Sequence, residues 1–177
     1  MTVLAVPLSR WQQIALVTLR MLIGWHFAYE GYFKLLSPAW SRAGTPLDKF
    51  SSAGYLQSAG GPLGELFQSL ARPAWIPYID SAVAVALLAV GLLLMLGWLT
   101  QLACAGAMAL LAVFYLSAIP LTGLPQPRAE GTYLLVNKNL IELVAVAVVM
   151  GFHTGRIAGL DMLWRRSRAG AAVVSKA

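Results

Sequence analysis

In "WHFAYEGYFKLL", residues 25–36, a histidine, a glutamate and a lysine stand four residues apart: His26, Glu30 and Lys34. Positions four apart share one helix face, so a helix here stacks an imidazole, a carboxylate and an ammonium in one column. An imidazole titrates close to neutrality and exchanges protons readily, and Glu30 stands where it can orient the ring. Tyr29 and Phe33 form an adjoining aromatic strip, with Trp25 at its start. A second group, Asn137, Lys138, Asn139 and Glu142, repeats the pattern, with Lys138 and Glu142 again four apart. Asp80 opens the second apolar segment.

The elements that position these groups follow from composition. Of 177 residues, 59% are hydrophobic and 11% charged, against about 25% charged in soluble domains. From Ser81 to Pro127 run 47 residues without Asp, Glu, Lys, Arg or His. A helix rises about 1.5 Å per residue and a bilayer core is about 30 Å thick, so that stretch predicts a hairpin of two spans. The whole pattern predicts an all-α, polytopic membrane protein, a four-transmembrane-helix bundle forming one domain over residues 1–177. The spans are expected at 12–36, 75–98, 99–119 and 133–152. Alternating segments of about ten residues, which a transmembrane barrel needs, are absent from the sequence. The N-terminal apolar run is expected to be a span and not a leader, because it lacks an early positive charge and a small-residue cleavage site.

Residues 37–74 form an outer loop in which Leu47, Phe50, Tyr55 and Leu56, then Leu63, Leu66, Phe67 and Leu70, recur at helical spacing around "GGP". Short amphipathic outer-loop helices are expected there, covering the ends of the spans. The tail, 153–177, carries Arg156, Arg165, Arg166, Arg168 and Lys176 against Asp161. The positive-inside rule then places both N- and C-termini in the cytoplasm of a bacterial or archaeal cell, with the chain in the inner membrane. Trp11, Trp98 and Trp164 fall at the inner interface, Trp40 and Trp75 at the outer.

Other features carry less chemistry. The net charge of +6 gathers beside a span, which argues against a nucleic-acid partner. Cys104 is the single cysteine, and no cysteine cluster, phosphate loop or nucleophilic triad can be assembled, so no metal is expected. His26 and His153 lie at different depths, which excludes an intrachain bis-histidine haem. Arg20 is expected to reach the inner headgroups, and Gly91, Gly97 and Gly106 to allow close helix packing.

The segments "GWHFAYEGYFKLLSPAWSRAG", "PLGELF", "AEGTYLLVNKNLIELVA" and "HTGRIAGLD" give the chain a resemblance to the DoxX/DoxD-like family of small four-span membrane proteins, over about Leu16 to Met162. The resemblance implies the DoxD-type subunit of thiosulfate:quinone oxidoreductase, working beside a second redox or sulfur-handling subunit. It marks Glu30 and Lys34 in the first motif and Glu130, Asn137, Lys138 and Glu142 in the last. No DoxA-like domain is present in this sequence.

Residues and resemblance together predict a membrane subunit of a quinone-linked oxidoreductase related to sulfur-compound oxidation. His26, Glu30 and Glu142 are the expected catalytic groups. Trp25, Tyr29, Lys34, Asp80, Asn137, Lys138 and Asn139 surround a quinone headgroup that enters from lipid. The alternative is a non-catalytic anchor or assembly scaffold, in which the same charges, a cross-helix Glu30–Lys138 pair among them, brace the helices. The sequence does not decide whether the chain is an enzyme, and leaves a homo-oligomer open. A transporter is disfavoured by the lack of an inverted repeat or broken helix.

Overall fold

The computed structural model describes residues 7–36, 50–60, 63–117 and 135–164. Its elements are α1 (Arg10–Leu36), α2 (Ala53–Gln57), α3 (Gly64–Leu70), α4 (Ile76–Leu96), α5 (Thr100–Ser117) and α6 (Lys138–Gly151), then a 3-10 turn at Thr154–Arg156. The dominant packing is α1 against α4, with α5 against α6 next.

Small residues set the first of these contacts. A Cβ at Gly31 would collide with the Leu88 backbone, and one at Gly91 with the backbone of Ala28 and Gly24. The order of these contacts, Gly24 by Met95 and Gly31 by Ala84, makes α1 and α4 antiparallel. Backbones that approach this closely gain dispersion contacts along their whole length. Around the seam, Ile23, Phe27, Leu87, Leu94, Ala103, Ala107, Leu111, Val146 and Val149 form one core joining α1, α4, α5 and α6.

Helix ends follow local chemistry. Leu96 ends α4 because Gly97 takes φ +61°, while Gly97 N–H bonds Leu94 O and Trp98 N–H bonds Leu93 O. That is a Schellman cap, which glycine enters without a Cβ penalty. Leu99 then adopts φ 48° to turn the chain into α5. Asn137 starts α6: its extended backbone and its side chain, accepting from Leu140 N–H at 3.0 Å, form an N-cap. Between α1 and α4, helices α2 and α3 place Leu56, Ala59 and Phe67 in a small second core against Ile76, Ile79 and Leu116.

The four-span bundle is corrected. Among the described residues two helices, Ile76–Leu96 and Thr100–Ser117, are long and apolar enough to cross a membrane. The Asn137 cap leaves α6 only 14 residues, about 21 Å at 1.5 Å per residue. In α1 the length suffices, but Gln12, Gln13, Thr18, Arg20, His26 and Glu30 dilute its apolar run. The architecture is an all-α bundle with close inter-helix packing and two such helices. The inner-membrane placement with both termini cytoplasmic depended on four crossings and falls with them. Tyr133, Arg42, Lys49, Arg128, Glu130, Trp40, Leu47 and the tail from Arg165 lie outside the described residues.

Candidate functional site

Two polar regions stand out. The first lies where α1 meets α6. His26 Nδ1 is 2.7 Å from Glu142 Oε1, a link between residues 116 apart in sequence. A carboxylate only accepts, so Nδ1 carries the hydrogen and Nε2 is left for another partner. Glu142 is the more enclosed partner, its side chain 14% exposed against 42% for His26. One turn along, Lys34 Nζ donates to Glu30 Oε2 at 2.5 Å within α1 and sits 4.5 Å over the Phe50 ring. Lys138 acts electrostatically on both His26 and Glu30. The charged groups of α1 and α6 are therefore brought together, with the cross-helix bond made by histidine and Glu142.

The remaining sequence candidates are placed differently. Asp80 Oδ1 accepts from Ser52 N–H at 2.7 Å and ties the segment before α2 to α4. Asn137 is used as the α6 cap. Asn139 makes no side-chain hydrogen bond among the described residues. Trp25 and Tyr29, with ring centroids 6.4 Å apart, are 59% and 47% exposed. Both rings are therefore about half exposed along α1. Tyr29 also stacks on Phe33 at 4.2 Å.

The second region, at the α4–α5 corner, was not foreseen as a unit. Asp161 Oδ1 accepts from Leu99 N–H at 2.8 Å and Oδ2 from Thr100 N–H at 2.9 Å. Its own N–H returns a bond to Gly97 O at 3.0 Å. Asp161 thus caps α5 from a segment 61 residues away. Burial pushes its carboxyl up, but the Thr100 and Leu99 groups and the Arg20 charge outweigh burial and hold it below the ordinary 3.8. Arg20, expected to reach outward, is instead buried, with Nε and Nη1 unpartnered among the described residues. Its guanidinium lies about where a side chain on Gly97 would go. A clue in the sequence was available: "HTGRIAGLD" combines two glycines with a lone acid after a helix, the composition of a backbone clamp.

A cavity of about 300 Å³ opens beside this corner, lined in part by Thr100, Gln101, His153, Arg156, Asp161 and Trp164. Among the described residues no group of three or more His, Cys, Asp or Glu could hold a metal ion.

No family model, curated protein or solved structure matches the chain. The DoxX/DoxD resemblance is therefore corrected: its motifs bring no family match, and among the described residues two helices, not four, are long and apolar enough to cross a membrane. The quinone-linked subunit, and the scaffold for a redox or sulfur-handling partner, are corrected with it. Both rested on that resemblance and on a four-span bundle of which two membrane-length helices are found among the described residues.

Proposed function

We propose that lipid is the partner of the α4–α5 hairpin, and that the chain acts as a lipid-held helical module presenting the His26–Glu142 link. The supporting observation is how little of the hairpin the protein covers. Only 28% of the apolar window in each helix is buried, whereas the core helix of a globular domain hides most of its surface. Val85, Leu92, Leu96, Leu102 and Val113 are all more than a third exposed. On α1, Ile14, Leu22 and Trp25 are likewise more than half exposed. Apolar area on this scale is unfavourable in water and marks a surface that something covers.

Val85, near the centre of α4 and 54% exposed, gives the test. In lipid, Val85→Arg costs about 2.5–3.5 kcal/mol; on a water-facing surface it stays within about 0.5 kcal/mol. The wild type should remain with vesicles through alkaline carbonate washing, and the variant should be lost or melt earlier. A chain that is monodisperse without detergent, or unchanged by Val85→Arg, refutes the reading.

A further inference from the structure

Helix α1 has two largely uncharged faces, and only one of them is used inside the chain. Arg20, Ile23, Gly24, Phe27, Ala28 and Gly31 are buried against the rest of the bundle. A helix with one face in a core ordinarily turns charged and polar residues the other way. On α1 the opposite side is instead a heptad seam. Trp11, Thr18, Trp25 and Tyr32 stand seven residues apart. Ala15, Leu22, Tyr29 and Leu36 form a second column with the same repeat, so that steps of four and three alternate along the helix. That alternation is the a/d pattern of a two-stranded coiled coil, and all eight positions are exposed.

Lipid suits this seam less well than it suits α4 and α5. The exposed hairpin residues named above are aliphatic, whereas the seam carries the hydroxyls of Thr18, Tyr29 and Tyr32 and the indole N–H groups of Trp11 and Trp25. Hydrocarbon offers those groups no hydrogen-bond partner, and a second helix does. Trp25, Tyr29 and Phe33 already stand as a row, with centroids 6.4 and 4.2 Å apart, so the rings lose little freedom on being covered. The charge pattern selects a copy of the same chain. In a parallel pair each position meets itself, so a charge on or beside the seam would face its like. The flanking positions, Gln12, Leu19, His26 and Phe33 on one side and Ile14, Met21, Ala28 and Leu35 on the other, hold no Asp, Glu, Lys or Arg. His26 is turned onto Glu142 of its own chain. With aromatic side chains covering about 150–250 Å² each, the seam offers on the order of 700 Å² per copy, near the ~800 Å² per partner of a standard interface.

We infer that α1 is the interface of a parallel homodimer, in which two copies of this chain meet in register along the seam. The parallel sense lets both hairpins enter one bilayer the same way. The inference fits the lipid-held reading without resting on it, since oligomeric mass can be measured whatever covers α4 and α5.

The experiment combines oligomeric mass of the purified full chain with oxidative cross-linking of single-cysteine variants. Native Cys104 is buried and stays in place. Thr18→Cys and Tyr29→Cys should each cross-link to their own kind, which only a parallel pair allows. Val85→Cys, exposed on α4 and away from the seam, should not. The wild type should show dimer mass, and Leu22→Lys, which sets two ammonium groups face to face, should be monomeric. Trp25→Ala should dimerise at least about tenfold more weakly, the loss usual for a central aromatic anchor. Leu22 and Trp25 are both exposed in the single chain, so helix content should hold in these variants, which separates lost association from lost folding. A monomeric wild type, a dimer that survives Leu22→Lys, no cross-link at either seam cysteine, or cross-linking as fast at Val85→Cys overturns the inference. Vesicle retention of Val85→Arg tests the lipid reading alone, because that side chain lies off the seam.

Discussion

The α1–α6 face and the α4–α5 corner hold their charges in opposite ways. On the face, side chain meets side chain: His26 with Glu142 and Lys34 with Glu30, three of the four at least a fifth exposed. At the corner, one carboxylate meets the backbone, and a buried guanidinium stands by without a hydrogen bond to Nε or Nη1 among the described residues. Exposed ion pairs contribute little because water already solvates their members. Carboxylates that satisfy helix N–H groups fix the backbone itself. The corner should therefore carry more of the stability, although the face carries more of the recognisable chemistry.

The largest expected effect tests that ranking. Asp161→Ala strips both N–H groups at the start of α5 and leaves Arg20 without its compensating charge. A loss of about 3 kcal/mol is expected, from two charge-assisted bonds and a buried cation. Denaturant or thermal melts of the variant in one detergent measure it. A loss no larger than that of Glu142→Ala would invert the comparison.

Acid should reveal the same residue. Because the folded Asp161 carboxyl lies below its ordinary 3.8, folding favours its ionised form. That contribution is fully present above about 4 and is lost as pH falls through the lower folded value. Wild type should thus lose stability below about pH 4 more steeply than Asp161→Asn, whose cap cannot titrate. Parallel curves from pH 6 to 2 would remove Asp161 as the acid-sensitive group.

The same contrast explains what was legible in the sequence. Local periodicity exposed the helices α1, α4 and α5 and the His26–Glu30–Lys34 column, because neighbours four apart announce themselves. It also signalled α2 and α3 through Leu56 and Phe67. It did not give the start of α6, since a capping side chain at Asn137 overrides an apolar run that reads as continuous from Tyr133. Nor could it pair His26 with Glu142 over the nearer-looking Glu30 with Lys138, because that choice depends on the rotation of α6 about its axis. The corner was least legible of all. Arg20, Gly97, Thr100 and Asp161 meet only after three segments pack, and the close α1–α4 approach that brings them there depends on Gly24 and Gly31, which look incidental among larger apolar neighbours.

On the face, a double-mutant cycle of His26→Leu and Glu142→Leu isolates the cross-helix term. Contact partners of this kind couple by about 0.5–3 kcal/mol, and the half-exposed imidazole places the expected value near the lower end, about 1 kcal/mol. Coupling indistinguishable from zero would mean that α1 and α6 are held by Ile23, Val146 and Val149 alone, and that His26 is free to serve as a proton carrier without structural cost.

The smallest effect belongs to Glu30→Gln. Its partner Lys34 lies on the same helix, so the pair adds no link between elements, and i,i+4 pairs of this kind contribute about 0.3–0.5 kcal/mol. The Glu30 side chain is 42% exposed, so water can solvate what the substitution uncovers. Lys34 keeps its contact with the Phe50 ring at 4.5 Å, which offsets part of the loss. A melting shift below that of Glu142→Ala is expected, and raising the salt concentration should shrink it further. A loss above about 2 kcal/mol would show that Glu30 works against Lys138 across the helix interface. It would then be the stronger of the two carboxylates, and the face would rival the corner in holding the bundle together.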